Sequence, residues 1–266
     1  MKNELIVRSI HGKAEGTVQL PRVFQTPYRP DVIHRVYVNM ASHKFHRQGR
    51  YPAAGEMVSA ESRNTGLGIA RLARIRGQGF SRAGQAAGVS GVRAGRIAHP
   101  PESWKEIRKK INKKERHLAL TSAIAATARK ELIVNRGHRV EGISAFPIIA
   151  SDSIESVTKS RELLNALLAF GLAEDLLRSG AGKTKGTSNG SRRKRTGTGA
   201  LIVVRKGSNV CRISNSIPGI DVEDVESLSL LDLAPGAKPI RLTVFSKGSL
   251  EKLERFRLND YYRAVQ

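Results

Sequence analysis

Acidic residues are scarce in this chain: 23 Asp and Glu stand against 46 Lys and Arg in 266 residues, a formal net charge of +23. An excess of that size makes a compact chain repel itself unless a polyanion neutralises it. Nucleic acid is the partner with that property. Cysteine occurs once, at Cys211, which excludes an internal disulfide and fits a reducing compartment. Cys211 itself reads as a small, inert hydrophobe. Aromatic residues make up only 5% and Trp104 is the single tryptophan, so the core must be built from Leu, Ile, Val and Ala. No apolar run reaches the roughly 18 residues that a membrane-spanning helix needs. No basic amphipathic stretch carries the Trp/Phe/Leu face that holds a helix on an anionic membrane. The opening "MKNELIVRSIHG" contains Glu4 and too short an apolar run for a secretory signal. The expectation is a cytoplasmic, nucleic-acid-binding protein with no membrane partner.

What is present is long enough to bury a substantial core. "ELIVRSI" reads as a strand. A helix opens near residue 30, with Val32, Ile33, Val36 and Met40 on one face, and stops before residue 45. "NKKERHLALTSAIAATARKELIV" reads as one long helix, with Asn112 as its cap and Glu115 in capping-box position. Leu118, Ala119, Ser122, Ala123, Ala126 and Ala128 give that helix a small-residue face. "FPIIAS" (146–151) is a buried strand, and "SIESVTKSRELLNALLAFG" a helix with Val157, Leu163, Leu164, Leu167 and Leu168 at helical spacing, ending at Gly171. "ALIVV" (200–204) and "IRLTVF" (240–245) are further strands. "SKGSLEKLERFRL" is a short helix capped by Ser246 or Ser249. Strands alternating with helices predict an α/β fold, a largely parallel sheet with flanking helices. The predicted globular domain is discontinuous, residues 1–44 and 105–266.

Two stretches break this pattern. Residues 45–104 show no sustained period. Between Arg63 and Arg96 stand eight glycines and seven arginines, with no lysine and no acidic residue. An irregular run this long is unusual inside a compact domain. Arginine without lysine suggests selection for planar, bidentate donors, so the segment is expected to be ordered by something outside the domain. The second stretch, 178–199, is a basic loop: Arg178 to Arg195 holds seven basic residues and no acidic one. Its "SGAGKTKG" imitates a nucleotide-binding loop, G-x-x-x-x-G-K-[ST]. With Gly182 as the second glycine the first falls at residue 177, which is Leu177. The flanks fail as well, because a helical pattern precedes the loop and "TSNGSRRKRTGTG" after it cannot start a helix. No nucleotide is expected. Hydroxyls, backbone N–H groups and flexible cations suit a phosphate backbone instead.

Other candidate chemistry is thin. His43 and His46 lack companion ligands for zinc, and neither a metal nor a cofactor is expected. His138, just past the C-cap Gly137, reads as structural or as an RNA contact. No nucleophile-elbow pattern surrounds any serine. Asp221, Glu223, Asp224 and Glu226 read as a local counter-patch rather than a nuclease centre. Trp104 reads as a packing residue, with base stacking as its other role. Three classes stay open on these grounds: a structural RNA-binding protein, an RNA-processing enzyme with a basic targeting arm, and an architectural nucleic-acid-binding protein.

Seven segments occur in a familiar order: "LPRVFQTPYRPDVIHRV", "RQGRYPAAG", "SAESRNTGLGIARLARIRGQG", "GRIAHPP", "NKKERHLALTSAIAATA", "RGHRV" and "LAPGA". Together they resemble the archaeal and eukaryotic branch of the large-subunit ribosomal protein four family, archaeal in type, over almost the whole chain. The resemblance implies an α/β domain on the large ribosomal subunit with no enzymatic activity. It implies binding to large-subunit rRNA early in assembly, contact with several rRNA domains and with neighbouring ribosomal proteins, and a loop (45–104) that threads through the RNA to the polypeptide exit tunnel. The residues expected to bind rRNA are Arg47, Arg50, Arg63, Arg71, Arg74, Arg76, Arg82, Arg93, Arg96 and His99, with Lys183, Lys185, Arg192, Arg193, Lys194 and Arg195 from the second basic run. The expected loop tip, past which the nascent polypeptide slides, is Gly77, Gln78, Gly79, Phe80, Ser81, Arg82, Ala83, Gly84 and Gln85. Thr184, Thr187, Ser188 and Asn189 interrupt a run that is a denser Gly/Lys/Arg string in archaeal relatives.

Overall fold

A computed structural model describes residues 4–180, 183–186, 192–195, 197–213 and 216–255. The chain divides into two units, Met1–Ala41 with Lys110–Gln266, and Ser42–Lys109. In chain order the elements are β1 (Glu4–Arg8), β2 (Ala14–Gln19), α1 (Pro30–Ala41), β3 (Ala60–Ser62), β4 (Ala73–Ile75), α2 (Lys113–Ala126), α3 (Lys130–Arg136), β5 (Ile148–Ala150), α4 (Ser160–Ala169) and α5 (Ala173–Gly180). Beyond α5 come β6 (Lys183–Gly186), β7 (Arg192–Arg195), β8 (Leu201–Val204), α6 (Val210–Ile213), β9 (Asp221–Asp224), α7 (Leu230–Leu233), β10 (Thr243–Ser246) and α8 (Lys247–Arg255).

The first unit is built on a six-stranded sheet in the order β2-β1-β5-β10-β8-β9. The β1–β2 pair is antiparallel and the other pairs are parallel, so the sheet is the largely parallel one that the alternation of elements predicts. Its central strands are buried at every position, because layers cover both faces. One face carries Ile149, Leu201, Val203 and Phe245 against Val32, Ile33 and Val36 of α1 and Ala119 and Ala123 of α2. Phe24 meets Phe245 edge to face, centroids 5.8 Å apart. The opposite face carries Ile148, Ile202, Val204 and Val244 against Leu163, Leu167 and Phe170. Strand periodicity sends neighbouring residues to opposite layers, and burying a side chain of this size contributes about 1.5–3 kcal/mol.

The helices depart from expectation in three places. The long helix is two: α2 ends at Ala126 and α3 begins at Lys130. Thr127 makes the break. Its Oγ1 donates to the Ile124 carbonyl at 2.7 Å, and Arg129 takes an extended conformation, the competition between hydroxyl and helix backbone that threonine sets up. Asn112 occupies the N-cap of α2 without a side-chain cap bond, and Glu115 accepts from Arg35 at 3.2 Å instead of closing a capping box. In α4 the buried face is Leu163, Ala166 and Leu167, while Leu164 and Leu168, expected on the core stripe, are exposed. At α8 the choice between two caps resolves to Ser246, whose Oγ accepts the Ser249 N–H at 3.1 Å.

Candidate nucleic-acid interface

The unit Ser42–Lys109 holds two arms side by side. At its base the His43 ring donates to the Lys109 carbonyl at 2.9 Å, and the Lys109 N–H donates to Ser42 Oγ at 3.0 Å. Further along, Gly55 has φ +81°, and a Cβ there would lie 2.8 Å from the carbonyl carbon of Gly95, so a side chain would force the arms apart. Then β3 and β4 pair antiparallel, Ala60 opposite Ile75, a hairpin that the aperiodic sequence does not announce. The returning chain adds to the far side of β4 through Ile75 N–H to Gln85 O (2.9 Å) and Ala87 N–H to Ala73 O (2.9 Å). Between them residues 77–85 close in tight turns, Ala83 N–H to Phe80 O and Gln85 N–H to Arg82 O.

This unit has almost no interior. Ala87 is its one buried apolar residue among the described ones, and Phe45, Tyr51, Met57, Leu67, Phe80 and Trp104 lie exposed. Trp104, expected to pack, is 68% exposed. The unit carries 13 Lys and Arg against 4 Asp and Glu. The residues of this unit expected to bind rRNA fall into two groups. Arg47, Arg63, Arg71, Arg82, Arg93 and His99 are exposed. Arg50 and Arg74 turn onto the carbonyls of Ala54 and Gly84, Arg76 pairs with Glu61, and Arg96 pairs with Glu56 at 3.3 Å.

In the other unit, β6 and β7 form an antiparallel hairpin whose register sets Lys183 opposite Arg195 and Lys185 opposite Arg193. Like charges across a two-stranded ladder destabilise it, and an anion lying on it removes that penalty. The side chains of Lys183, Lys185, Arg192, Arg193, Lys194 and Arg195 lie outside the described residues, as do Gly182, Thr187, Ser188 and Asn189. Helix α5 precedes "GKTKG" and strand β6 is formed by its last four residues, the reverse of the strand-to-helix order of a phosphate loop.

The root of this hairpin is clamped. Gly197 N–H donates to the Ser179 carbonyl at 3.0 Å. Gly219, at φ +85°, packs so close that a Cβ would lie 2.6 Å from the Gly197 carbonyl oxygen. Buried Arg241 donates from Nε to Gly199 O at 2.5 Å and from Nη2 to Ala200 O and Gly219 O, and its Nη1 pairs with Asp221. Beside it, buried Asp175 accepts from His138 Nδ1 at 3.0 Å, Arg139 N–H at 3.2 Å and Arg178 Nε at 2.8 Å, while Arg178 Nη2 donates to Thr198 O at 2.8 Å. Neither Arg241 nor Asp175 stands out in the sequence as functional. The available signal was a lone charge inside the apolar run "PIRLTVF" and a carboxylate on the buried side of a short helix.

His138 is therefore structural. Its Nε2 accepts the Leu242 N–H at 3.3 Å, which fixes the proton on Nδ1 and leaves no lone pair to serve as a base. Burial pushes its pKa below the ordinary 6.5, and the cations Arg178 and Arg136 push the same way against Asp175. Burial alone would raise the Asp175 carboxyl; hydrogen bonds from His138 and Arg178 outweigh it and hold it below the ordinary value. A folded histidine that resists protonation contributes stability in full above pH about 6.5, and that contribution is lost as pH falls through the folded value. Thermal unfolding from pH 7 to pH 5 will show a falling Tm, and His138→Gln will remove most of that slope. An unchanged slope in the variant contradicts the assignment.

The acidic cluster is spent on its own surroundings. Asp221 holds Arg241, Asp224 accepts from Cys211 Sγ at 3.4 Å, Glu223 accepts from Ser227, and Glu226 pairs with Lys206 and Lys252. Burial pushes the Cys211 thiol up, in keeping with an inert residue. At the C-terminal edge of the parallel strands, where α/β sheets place ligands, a cavity of about 350 Å³ is lined by Glu15, Ser151, Asp152, Ser153 and Lys247. Asp152 there accepts the Gly248 N–H at 2.7 Å, and Glu155 nearby accepts from Arg205 and Ser246. These carboxylates tie strand ends together. Among the described residues no group of three or more His, Cys, Asp or Glu is placed to hold a metal, and no helix is long and apolar enough to cross a membrane.

Comparison with known proteins gives one answer. The chain is 37% identical over 255 residues to the large ribosomal subunit protein uL4 of Methanosphaera stadtmanae, covering 93% of this chain and 95% of that protein. It is 36% identical to the uL4 of Methanopyrus kandleri, covering 94% and 98%, and 35% identical to that of Candida albicans, covering 99% and 74%. The pattern of the Ribosomal protein L4/L1 family matches residues 18–256. With a basic, coreless unit, a hairpin rich in lysine and arginine and archaeal relatives matched along nearly their whole length, the chain belongs to the Ribosomal protein L4/L1 family.

Proposed function

We propose that this protein is a structural constituent of the large ribosomal subunit in the cytoplasm, that it binds large-subunit rRNA early in assembly, and that it catalyses no reaction of its own. The observation that carries the reading is the unit Ser42–Lys109, which has one buried apolar residue among those described and 13 Lys and Arg against 4 Asp and Glu. Apolar and arginine side chains left in the open together are what a segment embedded in RNA presents, with guanidinium groups on phosphates and aromatic rings on unstacked bases. The exposed Arg47, Arg63, Arg71, Arg82, Arg93 and His99 take phosphates of several rRNA domains. Arg50, Arg74, Arg76 and Arg96 shape the backbone first and meet RNA second. The β6–β7 hairpin supplies a further contact through Lys183, Lys185 and Arg192 to Arg195. The turn at 77–85 reaches the polypeptide exit tunnel, where the lack of acidic residues lets a nascent chain pass. Neighbouring ribosomal proteins are partners; nucleotides and membranes are not.

The test is salt dependence. If about six phosphates are neutralised, affinity for a large-subunit rRNA fragment falls on the order of a thousandfold between roughly 50 and 200 mM salt. A loss under about tenfold contradicts a phosphate-dominated interface. Equal affinity for duplex DNA in competition would favour an architectural protein instead.

A further inference from the structure

The single tryptophan of the chain stands in the open. Trp104 is 68% exposed, although tryptophan is among the side chains that gain most from burial. Among the described residues its ring meets no other aromatic ring and its Nε1–H has no acceptor. The backbone beneath it is braced. The Lys105 N–H donates to the Glu102 carbonyl at 3.2 Å, which closes a turn with Ser103 and Trp104 at its corner. Gly49 of the facing arm packs on that corner, where a Cβ would lie 3.0 Å from the Ser103 nitrogen. A large flat ring is therefore held out from a supported turn. Phe80, also exposed, differs: it lies over Gly77, where a Cβ would come 2.7 Å from Phe80 Cε1, so its ring is spent on its own turn.

The charge on the two arms indicates what covers this ring. The facing arm, residues 43–55, holds Lys44, Arg47 and Arg50 and no acidic residue. On the arm of Trp104 itself, Lys105, Arg108 and Lys109 are exposed and outnumber Glu102 and Glu106. An indole set among cations suits a nucleobase, which carries a flat π-face on a polyanionic strand. A base inside a duplex has that face covered by its neighbours, so the partner must be unpaired. We propose that Trp104 stacks on an unpaired base of large-subunit rRNA, with the cations of the two arms on the phosphates to either side of it. The proposal rests on the RNA-binding reading. It adds the ring that makes a base contact, which phosphate neutralisation does not supply.

Because the chain has one tryptophan, indole fluorescence reads this contact directly. The full chain is titrated with a transcript of large-subunit rRNA and, in parallel, with a fully paired RNA duplex. The transcript should quench most of the indole emission at saturation, and the duplex, held through its phosphates, should quench little. Trp104→Leu should weaken binding to the transcript on the order of tenfold. The slope of log affinity against log salt should stay as it is, since stacking releases no counterions. Trp104→Phe should keep most of the affinity. Trp104 belongs to neither hydrophobic cluster, so both variants keep their Tm. Binding of the transcript with full emission, equal quenching by the duplex, or wild-type affinity in Trp104→Leu overturns the stacking and leaves the RNA-binding reading standing. An emission change that appears only in the assembled subunit gives the ring to a neighbouring protein and also overturns it. No binding of the transcript at all defeats the RNA-binding reading, and the stacking with it.

Discussion

Deleting residues 66–95 will leave the rest of the protein folded and take away much of its hold on RNA. Both hydrophobic clusters draw every member from Met1–Ala41 and Lys110–Gln266. The deleted stretch contributes one buried apolar residue, Ala87. The unfolding transition should therefore persist, with Tm within about 3 °C of the full chain. The deletion also removes Arg71, Arg74, Arg76, Arg82 and Arg93. If Arg71, Arg82 and Arg93, the three of these assigned to phosphates, make those contacts, the slope of log affinity against log salt becomes shallower by about three. Assembly into subunits should fail or yield defective particles. Loss of the thermal transition would show that this segment is part of the core; an unchanged salt slope would show that its arginines do not touch RNA.

The second large effect lies at Arg241. This side chain is 1% exposed, donates to three carbonyl groups and pairs with Asp221. Replacing it with leucine strands those acceptors at the root of the basic hairpin. Breaking a buried charge network by removing one partner costs about 3–5 kcal/mol, so Arg241→Leu should lower Tm by roughly 10 °C in a domain of this size. Asp221→Asn should cost less, since that carboxylate is 62% exposed and water can take up part of the load. Exposed Arg63→Leu should fall within about 0.5 kcal/mol of wild type. Calorimetry on the three variants orders them. An Arg241→Leu protein as stable as Arg63→Leu would mean that the guanidinium is not holding the clamp. The contrast matters for a chain so rich in arginine: composition says that arginines bind RNA, but burial says that this one binds its own backbone.

The parts of the fold legible in the sequence are those where a period dominates. The strands 148–150 and 201–204 are continuous apolar runs, and 243–246 is buried at every position around Val244 and Phe245, because both faces of the sheet are covered, and α1 keeps its apolar face in register. Strand β9 is written "DVED" and β2 "AEGTVQ". Both are edge strands, whose polar residues hide the period. The break at Thr127 was hidden because no glycine or proline marks it. The hairpin of 60–75 rests on backbone bonds and turns, with little side-chain pattern to reveal it. Among the candidate contacts, the arginine-rich composition marks the region but does not sort Arg74, bonded to a carbonyl, from Arg71, which is exposed. That sorting depends on where the turns bring Gly84, a tertiary fact. Family resemblance supplies the role; geometry separates the arginines that shape the segment from those available to a ligand.

The most direct test of the central claim is where the chain resides in the cell. Native extract is run on a sucrose gradient at low magnesium, and every fraction is probed for this protein. The protein should sediment with the large ribosomal subunit and stay there through a moderate salt wash. Finding it among free proteins, or with the chromosome, would contradict the account.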